Sequence, residues 1–177
     1  MLFRSCVGVV AKMLARRKGV EAQRLDEFFA AGLLHDIGKI PLNNVLSEDY
    51  VRAMSLADRE RIPLHLAEKR AMDLDHAEVG LLISNAWHLD GPIADAIRFH
   101  HDLPLYQGAN EAIVYAVAVA DYYASREGIG FSGNLYPEKL PPDVFERLGV
   151  PKSWLDEIDE LVLAEIEKAL VFLKLKG

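Results

Sequence analysis

A histidine followed directly by an aspartate, His35-Asp36, lies inside an apolar run over residues 33–40, just before Gly38. This setting predicts that the pair is buried at the end of a helix, where an unpaired carboxylate is costly to remove from water. A cation is the obvious group to compensate that charge. The pair therefore constrains the fold strongly, because the rest of the chain must enclose it and supply further polar partners.

The spacing of the apolar residues predicts an all-α protein, with no strand-like alternation anywhere in the chain. We expect Ser47 to cap a short helix, Asp75 and Glu78 to form a capping box, and Asn110 to cap a long apolar helix. Gly38 is expected to stop the second helix. The other predicted helices cover residues 2–17, 22–36, 59–72, 75–88, 92–101, 111–126, 143–148 and 153–175, and residues 41–44 and 128–142 are predicted loops.

Composition and length exclude several classes of protein. A chain of 177 residues with 51% hydrophobic residues predicts one globular domain over residues 1–177, either complete or a fragment of a longer protein. The net charge of −7 argues against a broad nucleic-acid surface, and no apolar run is long enough to span a bilayer. The single cysteine, Cys6, excludes an internal disulfide and has no evident histidine partner for nucleophilic catalysis. The cytoplasm is the expected location.

Polar residues recur on the apolar faces of four predicted helices. On the helix from residue 92, for example, His100 continues the stripe of Ile93, Ala96 and Ile97. One inward histidine is more often a core residue than a ligand, so a helical protein without a metal stays an alternative. The coincidence on four helices favours a compact bundle around a metal pocket, for which Zn, Mn, Fe and Ni all remain open. The candidate ligands are His35, Asp36, His76, His100, His101 and Asp121.

Other polar and aromatic residues carry weaker signals. Lys39 either neutralises a substrate phosphate or is simply solvated at a helix end, and Asp102 either touches the pocket or only ends its helix. His65 and His88 are expected on the surface. The remaining aromatic residues are expected to serve in packing, namely Trp87, Trp154, Tyr115, Tyr122 and Tyr123.

The same residues, in this order, resemble the HDOD branch of the HD superfamily of metal-dependent phosphohydrolases. The matching segments are residues 31–39, 75–80, 87–89, 97–101 and 119–121. The resemblance implies that His35, Asp36 and Asp121 bind a metal, and in two-metal relatives Asp36 bridges to a second ion. That second ion would take His76, His100 and His101, and the pair would activate a water and polarise a phosphoryl group. His35, Asp36 and Lys39 are the candidate catalytic residues.

The chain departs from the family pattern in two places. Ser5 stands where the first helix usually supplies a histidine ligand, and a hydroxyl replaces an imidazole poorly. The His100-His101 pair is followed by Asp102-Leu103-Pro104, without the glycine-rich extension found in relatives that cleave cyclic dinucleotides.

The resemblance and these two departures together favour a bacterial regulatory domain with a metal site that is partial or structural. The alternative is a metal-dependent phosphomonoesterase or phosphodiesterase acting on a nucleotide or small phosphate ester. The expected partner is a protein or a small phosphorylated ligand, with no nucleic acid and no membrane. The oligomeric state stays open.

Overall fold

The computed structural model describes residues 2–89 and 91–174, with side chains described as far as residue 168. Within these residues the regular structure is α-helix with short 3-10 helices and no strand, which confirms the predicted all-α class. No helix in the described ranges has both the length and the apolar character needed to cross a bilayer. The α-helices are α1 (Leu2–Lys18), α2 (Leu25–Leu34), α3 (Lys39–Val45), α4 (Ser47–Glu60), α5 (Leu64–Met72), α6 (His76–Ala86), α7 (Pro92–Phe99), α8 (Glu111–Arg126), α9 (Val144–Leu148) and α10 (Asp159–Lys174).

The core consists of two clusters of buried side chains. The larger one is built around α1 and α8, which pack against each other and against α2, and includes the fully buried Val10 and Val117. The smaller one joins α3, α4 and α5 through Leu42, Tyr50 and Leu64. The candidate ligands lie on α6 and α8 and directly after the ends of α2 and α7, and α5 packs beside α6. The pocket therefore lies inside the helix assembly and not on an outer face of one helix.

Several predicted boundaries are confirmed. The first helix and the long apolar helix have nearly the expected ends, and α7 begins with Pro92 directly after Gly91. The capping box at the start of α6 is complete: the Asp75 carboxylate accepts from the Glu78 backbone N–H at 2.8 Å, and the Glu78 carboxylate accepts from the Asp75 N–H at 3.1 Å.

Three predictions between residues 39 and 72 are wrong. The expected loop at 41–44 belongs to α3, because Pro41 lies in the first turn, where a missing N–H costs no helical hydrogen bond. Ser47 is the first residue of a 14-residue helix and not the cap of a short one. The expected helix over 59–72 begins only at Leu64, since Arg61 takes a left-handed conformation with φ of 54° and Pro63 disfavours a helical residue before it.

Two helix starts further along the chain also differ from expectation. Asn110 occupies the capping position of α8, but its side-chain amide donates to the Asp95 carboxylate at 2.8 Å and makes no capping bond. Residues 152–156 form a 3-10 helix, and the last α-helix begins only at Asp159. Its predicted end near residue 175 lies outside the described residues.

Gly38 follows α2 for a reason that differs from the predicted one. Its φ of −65° is ordinary for any residue, so it does not end the helix by taking a left-handed conformation. A Cβ at this position would lie 2.0 Å from the His76 carbonyl oxygen and 2.7 Å from the Gly80 nitrogen. Only glycine therefore allows the turn that carries Asp36 to pack directly on the first turn of α6.

We predict that Gly38→Ala lowers the free energy of unfolding by about 1–3 kcal/mol, because the methyl group overlaps rigid backbone atoms of α6. Chemical denaturation of the two proteins measures this difference. Ser55→Ala, on the exposed face of α4, is the control and should change the free energy of unfolding by less than about 0.5 kcal/mol. Equal stability of Gly38→Ala and the natural protein would contradict this account of the contact.

Candidate metal centre

Four helices deliver the six candidate ligands to one buried region. His35 and Asp36 directly follow α2, and His76 is the first residue of α6. His100 and His101 directly follow α7. Asp121 lies in the middle of α8, with its side chain 10% exposed. The structure thus brings together every residue proposed from the sequence as a ligand, while metal binding by them stays a prediction.

Two of the imidazoles are oriented by backbone carbonyl oxygens. His35 donates from Nδ1 to the Gly32 carbonyl at 2.7 Å, and His100 donates from Nδ1 to the Ile97 carbonyl at 2.9 Å. Both rings are buried. A carbonyl can only accept, so each ring carries a proton on Nδ1 and directs Nε2 into the pocket.

The other two imidazoles are oriented by carboxylates. His76 donates from Nδ1 to Glu68 Oε2 at 2.6 Å, and His101 donates from Nδ1 to the Glu138 carboxylate. Their Nε2 atoms then face each other at 3.0 Å. With both protons held on the Nδ1 side, two lone pairs point at one another, which is unfavourable unless a proton or a cation lies between them.

The carboxylates occupy the gaps between these nitrogen atoms. Asp36 Oδ2 lies 3.4 Å from His35 Nε2, and Asp36 Oδ1 lies 3.3 Å from His76 Nε2. Asp121 Oδ1 is 3.3 Å from His35 Nε2. Ligand atoms held about 2.0–2.1 Å from one ion lie roughly 3.0–3.4 Å apart, so these separations suit a shared cation.

Two buried polar atoms in the centre support the same interpretation. Asp36 Oδ1 and His100 Nε2 are 4.0 Å apart, and among the described residues neither has a hydrogen-bond partner. An unsatisfied buried carboxylate oxygen costs several kcal/mol unless it is paired. The residues present therefore fit a bound divalent metal ion, and imidazole with carboxylate suits Fe, Mn, Zn or Ni.

The electrostatics keep His100, His101 and Asp36 in the protonation states that metals require. Burial lowers the pKa of His100 well below its ordinary value, and the neighbouring imidazoles lower it further. Burial and the rings of His65 and His76 act in the same direction on the pKa of His101. Burial opposes ionisation of Asp36, but the adjacent cationic groups outweigh it and hold the pKa of that carboxyl well below its usual range. Neutral imidazoles and an ionised carboxylate are the forms that bind metals.

Lys39 is not a solvated residue at a helix end, because its amine is held by two acceptors. Its Nζ donates to Asp36 Oδ2 at 2.7 Å and to the Ser132 carbonyl at 3.1 Å. Burial would lower the pKa of this amine, but the charges of Asp36 and Asp121 outweigh burial and raise it. Lys39 therefore supplies a fixed positive charge beside Asp36, whose carboxylate lies between His35 and His76.

Three residues of the candidate centre were not predicted from the sequence. His65 was expected on the surface, but it is 9% exposed and stacks on His101 with ring centroids 4.3 Å apart. Glu68 is fully buried behind His76. Leu64 and Glu68 lie four residues apart on one face of α5, and this spacing was a signal for burial. Glu138 lies in an irregular loop, where no periodicity could indicate it.

The remaining predicted positions have mixed outcomes. Asp102 pairs with Arg98 at 2.9 Å, and His88 is exposed as expected. Tyr115 and Tyr123 are buried in the larger core cluster, which confirms their role in packing. Trp87 is 60% exposed, so the expectation of packing is wrong for this residue.

A cavity of about 460 Å³ opens beside the candidate metal centre. Asp36 and Lys39 form part of its wall, so the cavity reaches the carboxylate that lies between the histidines. Arg4 adds a second basic side chain, while Tyr50 and Phe131 add aromatic surface. The wall of the cavity thus combines basic and aromatic side chains.

Comparison with known proteins places the chain in a family. A sequence model of the HDOD domain matches residues 4–103. An uncharacterised protein of Treponema pallidum is 30% identical over 114 residues, which are 64% of this chain and 22% of that protein. This chain therefore spans only about a fifth of that relative's length.

Two solved structures share the fold. An HDOD domain protein of unknown function from Geobacter sulfurreducens is 29% identical, with a TM-score of 0.70 over 96% of this chain and 58% of that one. A candidate phosphohydrolase from Shewanella amazonensis is 19% identical, with a TM-score of 0.67 over 93% of this chain and 61% of that one. The second likeness concerns the fold alone.

We predict that the metal-free protein loses stability as the pH falls from 7 to 5. The folded state keeps His65, His100 and His101 from taking up protons, whereas the unfolded chain takes them up near the ordinary pKa of about 6.5. Below that pH the unfolded state binds more protons, and each such histidine lowers the free energy of unfolding by up to about 1.4 kcal/mol per pH unit. Denaturant titrations of chelator-treated protein at several pH values measure the slope.

Above pH 7 the stability of the metal-free protein depends on His35 in the opposite direction. Burial opposes protonation of this ring, but Asp36 and Asp121 raise its pKa to about 10. Its stabilising contribution is therefore complete below pH 6.5 and is lost as the pH rises towards 10.

Replacing the exposed His88 by glutamine is the control for the slope between pH 5 and 7 and should leave that slope unchanged. Stability that is flat between pH 5 and 7 would contradict the predicted burial of neutral imidazoles.

Proposed function

Because the chain belongs to the HDOD domain family, we propose that it is a bacterial regulatory domain that holds divalent transition-metal ions in the metal centre. It would respond to a small phosphorylated ligand in the adjacent cavity and pass the response to a partner protein. The activities of the longer relatives do not follow from this, since the chain spans 58% of the Geobacter chain that it matches.

One observation carries the metal-binding part of the proposal. Four imidazoles have their Nδ1 protons held by acceptors. The Nε2 atoms of His35, His76 and His100 face the carboxylate of Asp36, and Nε2 of the fourth ring, His101, faces that of His76. A structural core gains nothing from directing lone pairs at each other and at a carboxylate. A cation in the middle removes both the repulsion and the unpaired charge.

The ligands divide into two groups that share Asp36. His35, Asp121 and Asp36 Oδ2 would hold one ion, and His76, His100, His101 and Asp36 Oδ1 would hold the other. Such ions, when bound, supply Lewis acidity and lower the pKa of bound water. Lys39 restrains the shared carboxylate through its 2.7 Å hydrogen bond to Oδ2.

The cavity beside Asp36 supports a phosphorylated ligand. Arg4 and Lys39 are the basic groups in its wall, and an arginine can bind phosphate through two parallel hydrogen bonds. The aromatic surface of Tyr50 and Phe131 suits a planar or apolar remainder of the ligand. A nucleotide or an aromatic phosphate ester therefore matches both parts of the cavity.

Phosphoester hydrolysis is the second candidate function. The observation that favours it is the contact of the cavity with Asp36, which would place a phosphoryl group next to the metal ions. The observation against it is Ser5, which is fully buried on α1 at the position where the family resemblance implies a histidine ligand. A hydroxyl is a weak ligand for a divalent transition metal, so binding without turnover is the preferred proposal.

We predict that elemental analysis of the purified protein finds about one or two transition-metal ions per chain. Asp36→Ala should lose most of this metal, because it removes the carboxylate shared by both groups of ligands. Asp58→Ala removes an exposed carboxylate on α4 and is the matched control. Protein that contains no metal and gains none from added Mn²⁺, Fe²⁺ or Zn²⁺ would contradict the proposal.

We also predict that an aromatic phosphate ester, p-nitrophenyl phosphate, binds without being hydrolysed. Arg4→Gln should weaken its binding about tenfold or more, since a hydrogen bond to a charged group contributes about 1.5–3 kcal/mol. Arg17→Gln, an exposed change of the same kind on α1, should bind normally. Calorimetry measures the binding, and release of p-nitrophenol measures turnover. Turnover that disappears in Asp36→Ala would establish the hydrolase and overturn the regulatory proposal.

A further inference from the structure

We propose that Glu138 positions His101 for metal binding, so that the loop between α8 and α9 is a working part of the metal centre. The proposal rests on the metal-binding function proposed above. It goes beyond the matched family segment, which ends at residue 103. Glu138 would not touch the ion and would act only through the imidazole ring that it holds.

The orientation of the His101 ring depends on a side chain, whereas the orientations of two other rings depend on the backbone. His35 and His100 are held by carbonyl groups of their own helices, which form with the helix itself. His101 follows α7 and finds its acceptor 37 residues further along the chain, in Glu138. Its ring orientation is therefore set by the fold of the loop and not by local helix geometry.

The Glu138 carboxylate spans two stacked rings. One oxygen accepts from His101 Nδ1, and the other lies 3.9 Å from His65 Nδ1. The rings of His65 and His101 are nearly parallel, with an interplanar angle of 11°. His65 thus blocks rotation of the His101 ring from one face, while Glu138 fixes the nitrogen edge. Together they direct His101 Nε2 to the point 3.0 Å from His76 Nε2.

The loop is fixed at points independent of Glu138. The Asn134 side-chain oxygen accepts from the Leu64 backbone N–H at 3.1 Å, at the start of α5 and next to His65. The Ser132 carbonyl accepts from Lys39 Nζ at 3.1 Å, next to the other half of the centre. These contacts place the carboxylate before any metal binds, which reduces the ordering cost of the site.

A carboxylate behind a histidine ligand has a known physical effect. It keeps the proton on Nδ1, holds the ring in plane and makes Nε2 a stronger donor, and losing such a partner typically weakens metal binding 10–100-fold. Glu68 stands in the same relation to His76, so carboxylates support two neighbouring ligands of one ion. The difference is that Glu68 belongs to a helix, whereas Glu138 is carried by a loop.

The first test needs no metal. In chelator-treated protein with ¹⁵N-labelled histidine, long-range ¹H–¹⁵N spectra report which nitrogen of His101 carries the proton. We expect the Nδ1–H form in the natural protein, the same form in Glu138→Gln, whose amide oxygen still accepts, and a shift towards Nε2–H in Glu138→Ala. An unchanged tautomer in Glu138→Ala, or Nε2–H in the natural protein, would overturn the proposal.

The second test measures affinity with Co²⁺ alone, followed by its visible absorption. Glu138→Ala should bind one of the ions about 10–100-fold more weakly, with an altered spectrum, and Glu138→Gln should lie between it and the natural protein. Glu146→Gln, an exposed charge removal on α9, is the control. Circular dichroism establishes that each variant is folded before it is titrated.

The outcomes separate this inference from the proposed function. If the natural protein binds Co²⁺ and folded Glu138→Ala binds it equally well, the role of Glu138 is overturned while the metal centre stands. If the natural protein binds no Co²⁺, the proposed function fails and the metal-positioning role of Glu138 fails with it. The tautomer measurement then decides only whether the carboxylate holds the ring.

Discussion

The carboxylate of Asp36 is the point on which the structure depends. It is 4% exposed and lies between His35 on one side and His76 with His100 on the other. Burying such a charge is favourable only if cationic groups surround it closely. Lys39 satisfies one oxygen directly, and the other is left to the imidazoles and to whatever cation they bind. The helices around it are arranged to meet this electrostatic requirement.

The backbone has to come very close to bring these groups together. Gly38 lies against the first turn of α6, and a Cβ on Gly32 would lie 2.7 Å from the Cα of Gly8, where α1 and α2 cross. These contacts draw the end of α2, with His35 and Asp36, between α1, α6 and α8. Glycines at these crossing points thus allow the helices that carry the ligands to approach one another closely.

The helices and the six candidate ligands could be predicted from the sequence because they follow the period of the α-helix. His76, His100 and Asp121 lie on the apolar stripes of their helices, and the structure buries all three. Three kinds of error have physical causes. Pro41 is compatible with a first helical turn, Arg61 breaks a helix through a left-handed backbone, and a 3-10 turn precedes α10.

The outer part of the centre could not be predicted in the same way. Glu138 is placed by the fold of a loop that packs on α5 and on Lys39, and loops have no repeating pattern that indicates which side chains are buried. Glu68 and His65 lie on a helix that was predicted to begin at residue 59. With that start, the buried face of the real helix from Leu64 was not recognised. Residues that orient ligands thus depend on contacts distant in sequence, whereas the ligands themselves are recognisable locally.

The central claim is that the converging Nε2 atoms and the Asp36 carboxylate bind metal ions. Anomalous X-ray diffraction from crystals grown with Mn²⁺, Fe²⁺ or Zn²⁺ tests it most directly. We predict anomalous peaks about 2.0–2.3 Å from the nitrogen atoms of His35 and His76, with Asp36 between them. Well-diffracting crystals in which these positions hold only water, and in which the Nε2 atoms bond to each other or to solvent, would contradict the account.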